Sequence, residues 1–191
     1  MTDLVRPIGP ALALRELESI ARGMRTADAV VKRAQVRLVR GEPVSPGKYL
    51  LLFTGDVAEV EESFQAGVEA AGPGLIDRLF LPGVSDALAA ALVRGPQPFV
   101  ARTLDSVGIV ETQTVASALL AADAALKRAE VRLSRIELAR GIGGKGYFVV
   151  EGSLDMVIEA LAGAAAAIEP SLLLTTELIE QPHPELRGPI L

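Results

Sequence analysis

The residues best placed to bind a ligand form a glycine-rich stretch, Gly141 to Gly146, which reads GIGGKG. Its spacing satisfies the dinucleotide pattern Gly-x-Gly-x-x-Gly, in which a helix after the glycines presents its N-terminus to a pyrophosphate. Here an apolar run at 147–150 follows, and it predicts a strand. The stretch also lacks the spacing and the final Ser or Thr of a P-loop. We interpret it as a flexible loop between two strands.

Other reactive side chains are sparse. His183 is the single histidine, and it lies between two prolines with no cysteine or second histidine to share a metal. Glu16 and Glu111 occupy equivalent positions in two similar halves of the chain, as expected for structural hydrogen-bond acceptors. No nucleophile, base and orienting group occur together. The sequence therefore predicts a protein that is not an enzyme.

The two halves are an internal duplication. Residues 27–38 (ADAVVKRAQVRL) recur as residues 122–133 (ADAALKRAEVRL), with nine of twelve positions identical. The four lysines form two equivalent pairs, Lys32 with Lys127 and Lys48 with Lys145. Two copies of one surface on a single chain favour assembly into a closed, symmetric ring.

Composition limits the class of protein. Half of the 191 residues are apolar but only 4% are aromatic, so each half has a small core that favours burial against a neighbour. A net charge of −5 without a basic run argues against a nucleic-acid partner. The absence of cysteine excludes disulfides and thiolate metal sites. With no leader pattern and no apolar stretch longer than Ala160–Ile168, we expect a cytoplasmic protein without a membrane partner.

Hydrophobic periodicity predicts the order β-α-β-β-α-β in the first half, followed by a short helix. The predicted strands are 11–18, 36–40, 49–53 and 75–81, and the helices are 19–34, 56–71 and 85–92, with a loop at 41–47. Ser19 is the expected cap of the first helix, and one face of that helix is predicted to carry Ala21, Met24, Ala27, Val31 and Ala34. Asp56 and Glu59 have the spacing of a capping box for the second helix.

The second half repeats that order. Its predicted strands are 107–111, 131–138, 146–150 and 172–179, and its helices are 114–128 and 153–168, capped by Thr114 and Ser153. The predicted organisation is an N-terminal extension at 1–10, repeats at 11–93 and 106–191, and a linker at 94–105. Each repeat is an α+β domain with a mainly antiparallel sheet and two helices on one face.

Two local features occur in both halves: a helix that ends in Ala-Asp-Ala-x-x-Lys-x-Ala-x-Val, and a glycine-containing loop before an apolar strand. With the element order, they resemble the shell-protein domain of bacterial microcompartments. The resemblance is strongest for the tandem, trimer-forming class, whose loops are similar to 44–48 (VSPGK) and 141–145 (GIGGK). The element order is not circularly permuted. The resemblance covers the chain apart from the first ten residues and the linker.

This resemblance implies a structural tile of a microcompartment shell in the bacterial cytoplasm. Three chains would form a pseudohexameric homotrimer with a central pore for small polar metabolites. The pore residues it implies are Val44, Ser45, Pro46, Gly47, Ile142, Gly143 and Gly144. The tile-edge residues it implies are Lys32, Lys127 and His183. The implied partners are other copies, other shell tiles edge to edge, and encapsulated enzymes.

Ser45 departs from the family pattern. In a similar tandem protein of propanediol-type compartments, a cysteine at this position holds an iron–sulfur cluster on the three-fold axis. A serine hydroxyl stays protonated at neutral pH and is a poor ligand for such a cluster. We therefore expect no cofactor and no metal.

A second function stays open from the residues alone: a tandem regulatory domain that binds a small ligand between its halves. The position of the two glycine-containing loops separates the hypotheses. In a tile the loops would converge only in the trimer, whereas in a regulatory domain they would meet within one chain.

Overall fold

The computed structural model describes residues 7–94 and 106–186. The chain divides into two compact units: residues up to Val84 together with Ala139–Gly144, and Ser85–Leu138 together with Lys145 onward. Most of the predicted N-terminal extension and of the predicted linker lies outside the described residues.

Each unit has the predicted order β-α-β-β-α-β. The strands are β1 Ala11–Leu17, β2 Arg37–Val44, β3 Lys48–Gly55, β4 Leu75–Leu81, β5 Ser106–Thr112, β6 Arg132–Leu138, β7 Gly146–Gly152 and β8 Leu173–Glu180. The helices are α1 Ile20–Arg33, α2 Val57–Ala71, α3 Asp86–Arg94, α4 Val115–Arg128 and α5 Leu154–Ala167. One-turn 3₁₀ segments lie at Gly72–Gly74, Pro170–Leu172 and Pro184–Leu186.

Each unit contains a four-stranded antiparallel sheet. The strand orders are β2-β3-β1-β4 and β6-β7-β5-β8, so the first strand of each repeat lies inside its sheet. In the first unit, alternate residues of β1 and β3 pack with residues of α1 and α2. This core contains Ala11, Ala13, Leu17, Tyr49, Leu51, Phe53, Val30 and Val60. Side-chain alternation along the strands thus produces the two-layer fold that the sequence predicts.

The predicted loop at 41–47 is wrong over most of its length. Strand β2 continues through Pro43 to Val44, which pairs with Lys48 at the start of β3. Strand β2 lies at the edge of its sheet, where a proline without an N–H is tolerated. The turn itself contains Ser45, Pro46 and Gly47, with a cis peptide bond between the first two.

The predicted helix caps divide into two kinds. Ser19 Oγ accepts from the backbone N of Arg22 at 3.3 Å, and Thr114 forms a reciprocal capping box with Ser117, which confirms both predictions. Asp56 and Ser153 hold the N-cap positions of α2 and α5 without a side-chain cap hydrogen bond. The capping box predicted for Asp56 is therefore wrong, because its exposed carboxylate faces solvent instead of the helix backbone.

Helix α3 follows the first repeat along the chain but packs in the second unit, against α4 and β6. The backbone N of Ser85, just before α3, donates to Asp123 Oδ1 of α4 at 2.8 Å. This hydrogen bond ties the start of α3 to the helix that carries Lys127.

Candidate functional site

The two glycine-containing loops meet within one chain. The segment Ala139–Gly144 belongs by its contacts to the first unit, where it lies beside the turn Ser45–Gly47. The expectation that these loops converge only in a trimer is therefore wrong. This contact alone would favour a regulatory domain, so the comparison with known proteins decides between the two functions.

Gly144 is the point of closest approach. A Cβ atom at this position would lie 3.0 Å from Pro46 Cδ and 3.1 Å from the carbonyl oxygen of Ser45. The φ angle of Gly144 is +81°, a conformation that favours glycine. Lys48 Nζ completes the contact by donating to the carbonyl oxygen of Gly144 at 3.4 Å. Close packing and backbone conformation therefore both require glycine here.

The remaining predicted pore residues differ in their surroundings. Ser45, Pro46 and Gly47 are exposed, while Val44 is the half-buried last residue of β2. Ile142 is half-buried, and Gly143 is exposed with φ +67°. The dinucleotide pattern is followed by strand β7, which starts at Gly146. The helix N-terminus on which a dinucleotide site depends does not follow the glycines.

Charged residues around the loops are paired. Lys48 Nζ lies 3.4 Å from Glu16 Oε2, and Lys145 Nζ lies 2.9 Å from Glu111 Oε1. Both duplicated glutamates accept hydrogen bonds, as the sequence predicts.

A third pair joins Arg140 Nη2 to Glu42 Oε2 at 3.1 Å. Sequence reasoning missed it, because Arg140 lies in the longer second loop and has no counterpart in the first repeat. Within residues 7–94 and 106–186, no group of three His, Cys, Asp or Glu side chains could hold a metal ion.

The predicted tile-edge residues are all accessible. The side chain of Lys32 is 72% exposed and contacts Asp28 Oδ2 at 2.7 Å, in an i, i+4 pair on α1. The side chain of Lys127 is 51% exposed, but its partner Asp123, at 2.5 Å, is buried. His183 is exposed, and its Nδ1 accepts from the backbone N of Glu185 at 3.2 Å. The two equivalent lysines therefore differ in the burial of their carboxylate partners, since Asp28 is exposed and Asp123 is buried.

The helices that carry these lysines differ in burial although their sequences are similar. Met24 of α1 is 57% exposed, whereas Leu119, at the same repeat position in α4, is fully buried. Ile20 is 38% exposed and its counterpart Val115 is fully buried. Of the face that the sequence predicts for α1, Ala21, Met24 and Val31 are exposed and Ala34 is half-buried, whereas Ala27 is buried. The face that packs on the sheet carries Gly23, Thr26, Ala27 and Val30.

Sequence reasoning also missed a buried arginine. Arg15 of β1 is fully buried on the helix-facing side of the sheet, where its guanidinium lies 4.0 Å from the centroid of the Phe64 ring. Its Nη2 donates to the carbonyl oxygen of Phe64, while Nε and Nη1 have no partner. Burial, with a contribution from Arg78, lowers the pKa of Arg15 to about 10. The second repeat has Val110 at this position.

Comparison with known proteins identifies the fold. A BMC domain model matches residues 11–84 and again residues 106–182. The bacterial microcompartment shell protein PduT of Citrobacter freundii is 40% identical over 174 residues, covering 91% of this chain and 93% of the relative. The chain belongs to the bacterial microcompartment shell proteins and carries their domain twice.

A solved structure supports the same assignment. The crystal structure of a microcompartment protein from Desulfitobacterium hafniense superposes with a TM-score of 0.82 at 36% identity, covering 93% of this chain and 98% of that chain. The carboxysome assembly protein CcmO of Synechocystis is 29% identical over 168 residues, covering 82% of this chain and 56% of the relative. The chain is therefore a component of a microcompartment shell, and this replaces the regulatory-domain hypothesis.

The helices within the described residues fall short of the length and hydropathy that a bilayer crossing requires.

Proposed function

We propose that the chain forms a homotrimeric, pseudohexameric shell tile with a central pore for small polar metabolites. The observation that carries the proposal is the exposed apolar face of α1, whose counterpart on α4 is buried. In a protein made of one domain twice, the same surface is expected to need the same cover. A second copy of the chain supplies that cover to α1, and three copies close a ring with no face left over.

Molecular mass in solution tests this proposal. Size-exclusion chromatography with light scattering should give the mass of three chains. A stable monomer at micromolar concentration would exclude the trimer. It would also show that the exposed face of α1 does not require contact with another chain.

The composition of the loops supports a polar pore. Ser45 offers a hydroxyl, and the positive-φ glycines Gly141 and Gly143 leave their backbone groups open to solvent. The neighbouring charges of Lys48, Lys145 and Arg140 are paired with glutamates. Such a lining favours small polar or anionic solutes over apolar ones. We assign Val44, Pro46, Gly47, Ile142 and Gly144 to the same constriction.

The residues present do not fit an iron–sulfur cluster. The chain has no cysteine, and the Ser45 hydroxyl does not supply the thiolate that such clusters require. We propose a tile without a cofactor and without catalytic activity. The purified protein should be colourless and free of iron, and Ser45→Cys would restore the missing thiols. Stoichiometric iron in the unmodified protein would overturn this part of the proposal.

The accessible side chains of Lys32, Lys127 and His183 suit contacts with neighbouring tiles. We propose that they lie at tile edges, and that enzymes inside the compartment contact the flat face of the tile. Electron microscopy of the purified protein should show sheets of edge-packed trimers. Trimers that stay dispersed at high concentration, alone and with other shell proteins, would exclude the edge assignment.

A further inference from the structure

The two lysine–glutamate pairs beside the loops are equivalent in the duplication. Lys48 is the first residue of β3 and Lys145 immediately precedes β7. Their partners Glu16 and Glu111 occupy the same position in β1 and β5. The same pair of side chains therefore occurs once in each repeat, with the glutamate in the first strand and the lysine at or immediately before the start of the third.

The two pairs differ in how well they are covered. The side chains of Lys48 and Glu16 are 19% and 1% exposed, whereas those of Lys145 and Glu111 are 44% and 35% exposed. The cover of the first pair includes the loop that ends at Gly144, whose carbonyl oxygen accepts from Lys48. Within the described residues, Lys145 Nζ contacts Glu111 and no backbone carbonyl.

The glycines next to these lysines show the complementary difference. Gly144 lies tightly against the turn at Ser45 and Pro46. Gly47 is its counterpart, immediately before Lys48, and its φ is +106°. A Cβ atom at Gly47 would meet no atom within 4 Å in the described structure. Within the described residues, Lys145 thus has no loop carbonyl as a partner, and the turn that ends at Gly47 has no lysine against it.

We infer that Lys145 of one chain donates a hydrogen bond to the carbonyl oxygen of Gly47 in a second copy. The turn Ser45–Gly47 of that copy then covers the Lys145–Glu111 pair, as the loop ending at Gly144 covers Lys48–Glu16 within a chain. This inference rests on the proposed trimer and adds a specific contact between the loops of neighbouring chains. We place the partner in a second copy of the chain because the turn Ser45–Gly47 is the repeat equivalent of the loop whose Gly144 carbonyl accepts from Lys48.

The chemistry of the contact is suited to a chain boundary. The Lys145 ammonium group, which is paired with Glu111, has two further N–H donors. The carbonyl oxygen of the exposed Gly47 is an acceptor for one of them. Hydrogen bonds from charged donors contribute more than neutral ones. The contact would also fix the position of the Ser45 turn relative to the neighbouring chain.

Paired substitutions test the inference. Lys145→Met removes the donor and keeps an apolar stem of similar length, and Lys48→Met is the matched control for the contact inside the chain. The dissociation midpoint of the trimer is measured by mass photometry over a dilution series in mild guanidinium chloride. We expect Lys145→Met to raise the protein concentration at this midpoint by roughly tenfold, because each trimer loses three hydrogen bonds from a charged donor. Lys48→Met should leave it close to the unmodified value.

The outcomes distinguish this inference from the trimer itself. A monomeric unmodified protein would overturn both. A trimer whose dissociation is equally insensitive to Lys145→Met and Lys48→Met would overturn the inference alone. If Lys145→Met fails to fold, a structure of the unmodified trimer decides, since Lys145 Nζ should lie within about 3.5 Å of Gly47 O of the next chain. A longer separation there would also overturn the inference.

Discussion

Helices α1 and α4 share a sequence motif but not an environment. Asp28 of α1 has a side chain that is 59% exposed, and its counterpart Asp123 is 4% exposed. The exposed apolar positions Ile20 and Met24 differ from their buried counterparts in the same sense. The difference shows that the second repeat buries a helix face that the first repeat leaves exposed. This unequal burial is the observation behind the proposed contact of α1 with another chain.

A charged residue in place of Met24 should have the largest effect on assembly. Met24→Glu places a carboxylate on the face of α1 that we assign to the neighbouring chain, and desolvating it there is costly. We expect folded chains that no longer form trimers. Light scattering measures the mass, and circular dichroism checks that the helices persist. A fully trimeric Met24→Glu protein would remove α1 from the interface.

A substitution at Leu119, the buried counterpart of Met24, should affect the stability of the fold instead of assembly. Leu119→Ala removes side-chain volume from a site that is filled within one chain, so it should lower the free energy of unfolding by about 2–5 kcal/mol. Measured in the Met24→Glu background, this loss is separated from the effect of assembly on stability. A loss as small as that of Val31→Ala, a truncation at an exposed position of α1, in the same background would contradict the difference in burial.

Periodicity and cap residues were sufficient to predict the eight strands and five helices of the described residues. They did not predict that β2 continues through Pro43, because the tolerance for proline depends on which strand lies at the sheet edge. Nor could they distinguish Met24 from Leu119, since burial there depends on surroundings that a repeated motif does not encode. The loop residues were predicted, but their contact within one chain was not.

Arg15 of β1 and its counterpart Val110 of β5 also differ between the repeats. Arg15 keeps two nitrogens without partners in a buried site, which costs free energy that an apolar side chain would not. Arg15→Met should therefore raise the free energy of unfolding by about 1–3 kcal/mol. Denaturant titration at fixed protein concentration measures the change. A loss of stability would mean that the contact with the Phe64 ring outweighs the two unmade hydrogen bonds.

The pH dependence of that gain has a defined sign. Burial lowers the pKa of Arg15 from its ordinary value to about 10, so between the folded and the unfolded pKa the unfolded chain binds more protons than the folded chain. The cost of burying the guanidinium is fully present below about pH 10 and declines as the pH rises towards the pKa that Arg15 has in the unfolded chain. The advantage of Arg15→Met should thus be constant from pH 7 to 9 and decrease above pH 10. An advantage that increases above pH 10 would contradict the assigned cause.

Lys32 and Lys127, which we assign to tile edges, differ in the burial of their partners. Lys127→Glu would place a carboxylate beside the buried Asp123, so we expect it to lower the free energy of unfolding by about 1–2 kcal/mol. Lys32→Glu faces only the exposed Asp28 and should leave unfolding nearly unchanged while preventing sheet formation. Thermal unfolding and electron microscopy measure the two effects. Normal sheets from Lys32→Glu would show that this lysine is not at a tile edge.

The smallest expected difference lies at the helix caps. Thr114 is buried, and its Oγ1 accepts from the backbone N of Ser117 at 3.1 Å while Ser117 Oγ accepts from the backbone N of Thr114 at 3.3 Å. Ser19 makes a single cap contact, to Arg22. We expect Thr114→Ala to cost about 2 kcal/mol and Ser19→Ala about 0.5 kcal/mol. Thr114→Ser keeps the hydroxyl and should recover most of the loss. Equal costs for the two alanine variants would mean that the second, reciprocal hydrogen bond at Thr114 adds nothing to the stability of α4.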